Sequence, residues 1–325
     1  MRGWADAGSM VWRKWWPRLR VPAALVFLGA VAVMLGLVAA EVRWREVAGA
    51  IRGYRTGTVL AAVGLAAAGH LLYTSYDLLA RAYTAHGLPW TRTIAIAFTS
   101  YAFNLNLGPI IGAMGFRYRL YSRFGLGAGT ITRVLGFSVV SNWLGYLFLA
   151  GLLFAAGLVE LPGVWREGTM ALRVLGIAML LVVAGYLWWC ARATRRCFEL
   201  RGFEVVLPSP GVALLQLAAS SASWLTMSAI LFVLLPQQVP FATVLGVLLL
   251  GAIAGVATHI PAGLGVLEAT FVLLLDHLAP VTELLAAVLT YRAAYYLAPL
   301  ALALPAYGWL EVRARRARRR SAPGA

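Results

Sequence analysis

The sequence predicts an all-α integral membrane protein, with about eight transmembrane helices plus broken or re-entrant segments. Three observations carry this prediction. Of the 325 residues, 61% are hydrophobic and only 12% charged, and mean hydropathy is +0.79, far outside the range of soluble domains. The apolar runs are long enough to cross about 30 Å of hydrocarbon. The connectors between them are short and rich in arginine, which leaves no room for a separate soluble catalytic domain. The net charge of +16 gathers in the termini and a few loops. That is the bias of cytoplasmic loops facing anionic lipid, not a nucleic-acid footprint. Cys190 and Cys197 match no metal or redox spacing, so neither a disulfide framework nor a cofactor is expected.

Residues 1–20 carry Arg2, Arg13, Lys14, Arg18 and Arg20 beside Trp12, Trp15 and Trp16, a basic and aromatic cytoplasmic flank. The uncharged run 21–40 is too long for a signal peptide and reads as an uncleaved first span. Residues 41–56 form a mixed-charge outer loop, and 57–79 the next span. There His70, Tyr73 and Asp77 recur at helical spacing and share a face. Asp77 has two open readings, solvated at the cytoplasmic end or interior.

Residues 93–112 are unusual. Ser100 and Asn104 share a face, then Asn106, Gly108, Pro109 and Gly112 interrupt the helix. The loop beyond holds Arg117, Arg119, Arg123 and Arg133 with no acid among them. A full crossing would put that loop outside, against the positive-inside tendency, whereas a re-entrant segment returns it to the cytoplasm. Arg117 and Arg119 then have two readings: plain topology, or ligands for a phosphate arriving from the inner leaflet.

Residues 131–159, 170–190, 211–235 and 241–258 are further spans. Ser138, Ser141, Asn142 and Gly145 line one stripe, with packing expected for the serines and the role of Asn142 open. Gly251 and Gly255 form a small-xxx-small pattern. The stretch His259 to Glu268 follows, in which Pro261, Gly263 and Gly265 break helix within five residues between two apolar runs. Freed backbone groups at that depth are tolerated only inside protein or beside a wet cavity. The stretch reads either as a tight turn between two helices with a snorkelling Glu268 or, better, as a broken helix lining a substrate path, since a carboxylate at that depth marks a functional site by default. After 269–275, the last span, 281–307, holds Arg292 among Tyr291, Tyr295 and Tyr296. A mid-membrane arginine costs about 2.5–3.5 kcal/mol on insertion scales, so it needs a partner, and Glu268 is the candidate. The pair either fixes helix orientation or handles a head-group phosphate. Thus 1–20 is a basic cytoplasmic N-terminus, 21–310 one polytopic membrane domain, and 311–325 a basic cytoplasmic tail.

The two Gly/Pro breaks, one in each half, point to a transporter built from pseudo-repeats with its site at the breaks. The elements Gly108-Pro-Ile-Ile-Gly-Ala-Met-Gly-Phe-Arg117, Pro261-Ala-Gly-Leu-Gly-Val-Leu-Glu268 and Tyr291-Arg292 with Tyr295-Tyr296 are similar to those of the lysylphosphatidylglycerol synthase transmembrane-region family. The resemblance covers about residues 20–310 and implies a stand-alone flippase region without the aminoacyltransferase half. By that resemblance Gly263, Gly265, Glu268, Arg292 and Arg117 are the positions to test.

The function expected is movement of an anionic phospholipid between leaflets of a bacterial-type cytoplasmic membrane, by a non-enzyme with both termini cytoplasmic. Arg117 and Arg119 would gather the phosphate and Arg292 receive it, with Glu268, Asn104, Asn142, Tyr295 and Tyr296 lining the path. No Gly-x-x-x-x-Gly-Lys-Ser/Thr run supplies nucleotide drive. Phospholipid and membrane are the expected partners, nucleic acid is not, and a homo-oligomer is left open. Two other classes stand beside this reading: an intramembrane lipid-modifying enzyme using Glu268 or Asp77 as base, and a non-catalytic partner subunit of a lipid or glycan pathway.

Overall fold

In a computed structural model, residues 44–158, 168–194, 196–200, 203–258 and 260–321 are described. The expected first span 21–40, the basic flank 1–20, and His259, Arg195 and Arg201 lie outside them. The chain divides into two units, Met1–Val47 and Ala48–Ala325. Of the first, only the start of a helix is described; the second holds everything that follows.

The elements are α1 (Trp44–Arg52), α2 (Thr56–Thr84), α3 (Trp90–Leu107), a π-helical segment Pro109–Phe116, α4 (Arg117–Arg123), α5 (Ala128–Ala155) and α6 (Gly168–Arg192). A two-stranded antiparallel hairpin follows, β1 (Cys197–Leu200) and β2 (Phe203–Val206). Then come α7 (Pro210–Leu234), α8 (Phe241–Thr258), a 3-10 turn Pro261–Gly263, α9 (Val266–Leu275), α10 (Val281–Arg292), a π-helical segment Ala293–Leu297 and α11 (Ala298–Ser321). Among the described residues, six helices are long and apolar enough to cross a membrane. The basic connector after α6 is thus a small hairpin, and the outer loop 41–56 contains a helix.

Hydrogen bonds at the helix ends define two faces of the bundle. On one, Tyr54 Oη donates to Leu234 O (2.8 Å) and Gln238 Nε2 to Leu278 O (3.1 Å). On the other, Tyr83 Oη donates to Val206 O, and Arg119 Nε to Glu311 Oε1 (2.8 Å). α2, α5, α6 and α7 run between the faces. α5 and α7 approach closely because Gly145 lies against Ser220, where any Cβ would meet the Ser220 backbone. Ser220 Oγ donates to Asn142 O (3.1 Å), Gln216 Nε2 to Ser141 Oγ (2.9 Å). Small polar residues therefore serve packing along this seam.

The two interrupted segments are helical hairpins. α3 enters from the second face for 18 residues, about 27 Å at 1.5 Å per residue. The chain then turns at Gly108, whose φ of +82° an L-residue rarely adopts. Pro109 starts the return at a first-turn position where no N–H is missed. The returning arm lies flat on α3: a Cβ on Gly112 would run into the Asn104 backbone, and Phe103 stacks on Phe116 with centroids 4.1 Å apart. Arg92 over the Phe124 ring (5.4 Å) brings both ends of the hairpin to the face where it began. The re-entrant reading of 93–112 is the geometry seen, with the helix beginning three residues earlier and the return reaching Arg123.

The second hairpin enters from the opposite face. α8 descends, the backbone reverses through Ala262 (φ 58°), Gly263 (φ 56°) and Gly265 (φ 77°), and α9 climbs back along α8 with Leu267 and Thr270 against Gly251. α3 packs against the 3-10 turn of this reversal, so the two tips meet inside the bundle. α10, the π-helical segment and α11 then form one continuous helix from Val281 to Ser321 that passes the tips. The last span accordingly runs past 307, and the expected tail 311–325 begins as more of the same helix.

Candidate functional site

Arg292 is the group that joins these parts. It stands where α10 passes into the π-helical segment, and such bulges recur at functional sites because they shift side chains off the regular helical register. Its Nε donates to Glu268 Oε1 and its Nη2 to Glu268 Oε2 (3.1 Å). The same guanidinium donates from Nη1 to Ala262 O (3.0 Å) and from Nη2 to Gly263 O (2.7 Å). One side chain thus satisfies two carbonyls freed by the reversal and pairs the carboxylate at the start of α9. Ala262 holds a left-handed conformation that costs a non-glycine residue about 1 kcal/mol. The Arg292 bond to its carbonyl is one of the contacts that keep it there. The Tyr296 ring lies 5.2 Å from the guanidinium, and Asn106 Nδ2 donates to Tyr296 O (3.1 Å) and Ala102 O (2.8 Å). Asn106 ties the first tip to the π-helical segment beside Arg292. The pair is not sealed, with Arg292 and Glu268 side chains 9% and 16% exposed.

A second arginine–carboxylate pair lies nearer the second face. Arg117 Nη2 is 3.0 Å from Asp77 Oδ1, and these side chains are 2% and 0% exposed. Tyr121 Oη donates to Asp77 Oδ2 (2.8 Å) and Ser138 Oγ to Asp77 Oδ1 (2.9 Å). Of the two readings of Asp77 the interior one holds. Arg117 is on a helix, not in a loop, and it is buried against this cluster with Tyr73 beneath it (5.4 Å). It therefore does not stand at the surface where a head group would first arrive.

Aromatic rings link the two pairs. Tyr73 stacks on Tyr101 with centroids 3.4 Å apart, Tyr101 Oη and Tyr295 Oη are 3.0 Å apart, and Tyr295 stacks on Tyr291 (5.5 Å). His70 sits beside Tyr295 (4.7 Å), its Nδ1 donating to Ala66 O (3.0 Å). Gly69 is required at this crossing, since a Cβ there would press on the Tyr295 ring at 2.9 Å.

The remaining expected residues fall elsewhere. Arg119 is 53% exposed on the second face, with Glu311 as partner and Tyr307 Oη also donating to Glu311 (3.0 Å). Asn104 acts through its backbone, accepting from Gly108 N (2.9 Å) beneath the first turn. Asn142 enters through its carbonyl at the α5–α7 seam, apart from the Arg292 cluster. Gly108, Pro109, Pro261, Gly263 and Gly265 form the two reversals. The sequence reading missed Tyr101, Asn106 as a clasp, and Glu311. Glu311 had a signal: it is the one acid after Glu283.

Residues 22–303 match the family described as lysylphosphatidylglycerol synthase TM region. The chain belongs to this family. Among curated relatives, the inner membrane protein YbhN of Escherichia coli is 47% identical over 307 residues, 93% of this chain and 96% of that one. An uncharacterized Synechocystis protein is 29% identical across 86% of this chain and 88% of its own length. A phosphatidylglycerol lysyltransferase of Staphylococcus haemolyticus is 24% identical over 72% of this chain, and the match spans 27% of that enzyme. This member of the lysylphosphatidylglycerol synthase TM family is thus an integral membrane protein that matches YbhN almost end to end and a minor part of the lysyltransferase.

Proposed function

We propose that the protein moves an anionic phospholipid between the leaflets of the inner membrane, with Arg292 as the head-group phosphate ligand. The observation that carries this reading is a guanidinium placed at the meeting point of two opposed hairpins, bridging Glu268 and the carbonyls of Ala262 and Gly263. Arginine forks match phosphate oxygens bidentately. Opposed interrupted segments with a charged group between them are the arrangement expected of alternating access. The residues flanking the reversals suit acyl chains that stay in the bilayer: Ile110 is 76% exposed, Leu297 58% and Leu264 46%.

Orientation follows from charge. Arg119, Arg123, Arg192, Arg313, Arg315 and Arg316 belong to the second face, whereas the first carries Asp276 and Glu283 beside Arg52 and Arg55. The positive-inside tendency makes the second face cytoplasmic. Arg119 then meets lipid at the cytoplasmic rim, Arg292 receives the phosphate deeper in, and Arg117 with Asp77 fixes the first hairpin between them. The name of one relative supports the same substrate class, since the lysyltransferase it matches in part acts on phosphatidylglycerol.

The test is leaflet exchange of acyl-labelled phosphatidylglycerol in proteoliposomes. Wild type is expected to exchange it and Arg292→Ala to fall to the rate of empty vesicles. Equal rates in all three would overturn the reading and return weight to a partner subunit or a lipid-modifying enzyme.

A further inference from the structure

The donors on Arg292 are nearly used up. Nε and one N–H of Nη2 hold Glu268, the other N–H of Nη2 holds Gly263 O, and Nη1 holds Ala262 O. The bidentate Nε–Nη2 edge, the one a phosphate takes best, is occupied by a carboxylate. A phosphodiester therefore binds there only by displacing Glu268. Once displaced, Glu268 has no other hydrogen-bond donor among the described residues. Leu267 and Phe271 flank it in the buried face of α9, and α8, packed alongside, carries no titratable residue between Phe241 and Thr258. The ionisable groups facing it are Arg292 and Tyr291 on α10 and Tyr296 on the π-helical segment, with Tyr101 on α3 beyond them; Glu283 is at the far end of α10. A phosphate monoanion and a carboxylate sharing one guanidinium would leave this largely buried site with net charge −1, a costly state in low dielectric unless a proton neutralises it.

Building on the lipid-transport reading, we propose that the protein carries one proton with each anionic head group, and that Glu268 is the proton carrier. On the side where lipid enters, the Glu268 carboxylate leaves Arg292, takes a proton from water at one Oε, and the phosphate oxygens take its place on Nε and Nη2. On the other side the phosphate leaves, Glu268 releases the proton to water and pairs with Arg292 again. One lipid anion and one proton cross together, and no net charge moves. Asp77 does not share this role, because Tyr121 and Ser138 continue to donate to it whatever Arg117 does.

The experiment uses full-length protein in vesicles containing acyl-labelled phosphatidylglycerol, with leaflet distribution read at steady state under two separate drives. A pH difference of one unit is expected to shift the distribution about tenfold toward the alkaline side, one proton per lipid. A potassium diffusion potential at equal pH is expected to shift it not at all. Glu268→Gln has no exchangeable proton, so whatever lipid it moves is expected to follow the potential and ignore pH, a reversal that a merely structural glutamate would not produce. Wild-type distribution that follows the potential and ignores pH overturns proton coupling and leaves lipid transport standing. A pH response retained in Glu268→Gln also overturns it. Absence of wild-type exchange under either drive overturns the transport reading together with the coupling. The wild-type arms decide even if the variant does not fold.

Discussion

The two arginine–carboxylate pairs look alike in composition and differ in what surrounds them. Asp77 keeps two hydroxyl donors, Tyr121 and Ser138, besides its ion pair with Arg117 and is fully buried. Glu268 has Arg292 as its hydrogen-bond donor among the described residues and remains partly open. The hairpins that carry them differ in the same sense. The first is interlocked, since a Cβ on Gly112 would run into the Asn104 backbone, whereas at the second a Cβ on Gly255 would rest 3.9 Å from the Gly263 Cα, an ordinary contact. A pair that has other hydrogen bonds to fall back on can act as a clasp, and a pair that has none is poised to exchange its partner. The lesson is that a buried ion pair declares its role through the hydrogen bonds left when one member turns away.

The largest effect expected follows from the clasp. Asp77→Ala leaves Arg117 charged and unpaired in the interior, a change that costs about 3–5 kcal/mol. Thermal unfolding in detergent should show it, and the double variant Asp77→Leu with Arg117→Met should recover most of the loss. Failure of the double variant to recover would mean that the pair contributes more than mutual neutralisation. Arg292→Lys should do the opposite, lowering lipid exchange at least tenfold with a smaller change in melting. One ammonium cannot span Glu268, Ala262 O and Gly263 O as the guanidinium fork does.

Next in size is the contrast between the tips. Gly112→Ala forces the returning arm off α3 and should cost about 1–3 kcal/mol, as overpacking does. Gly255→Ala fits the space beside Gly263 and replaces a helical glycine, so it should be neutral or stabilising by about 0.5–1 kcal/mol. Equal destabilisation by both would erase the distinction between a locked and a loose hairpin.

Much of this was legible in the sequence. Pro261, Gly263, Gly265 and Glu268 in one short stretch, with Arg292 on the next apolar run, left few partners for either charge. The Glu268–Arg292 pair followed from the cost of leaving them alone. The re-entrant first hairpin followed from the charge of the segment after Gly112. What could not be read was contact across distant helices. Arg117 and Arg119 are two residues apart and looked equivalent, yet on a helix they point about 200° apart, one into Asp77 and one toward solvent. Tyr101 carries no sign of its role in its own neighbourhood, because its partners Tyr73 and Tyr295 come from α2 and the π-helical segment. Asn104 and Asn142 offer side-chain amides in the sequence and serve through their backbone carbonyls in the fold, a distinction that residue type does not hold.

The smallest effect belongs to the rim. Arg119 is an exposed cation whose bond to Glu311 competes with water and salt, and Glu311 retains Arg123 (3.8 Å) and Tyr307 when Arg119 is removed. Arg119→Ala should therefore leave thermal unfolding unchanged. Its influence on lipid should be one of capture: exchange slowed severalfold at low ionic strength and restored to the wild-type rate near 0.5 M salt, where the screening length falls to about 4 Å. A loss that persists at high salt would make Arg119 a direct phosphate ligand like Arg292, and the phosphate path would then begin at the rim with a bound state and not with a diffuse attraction.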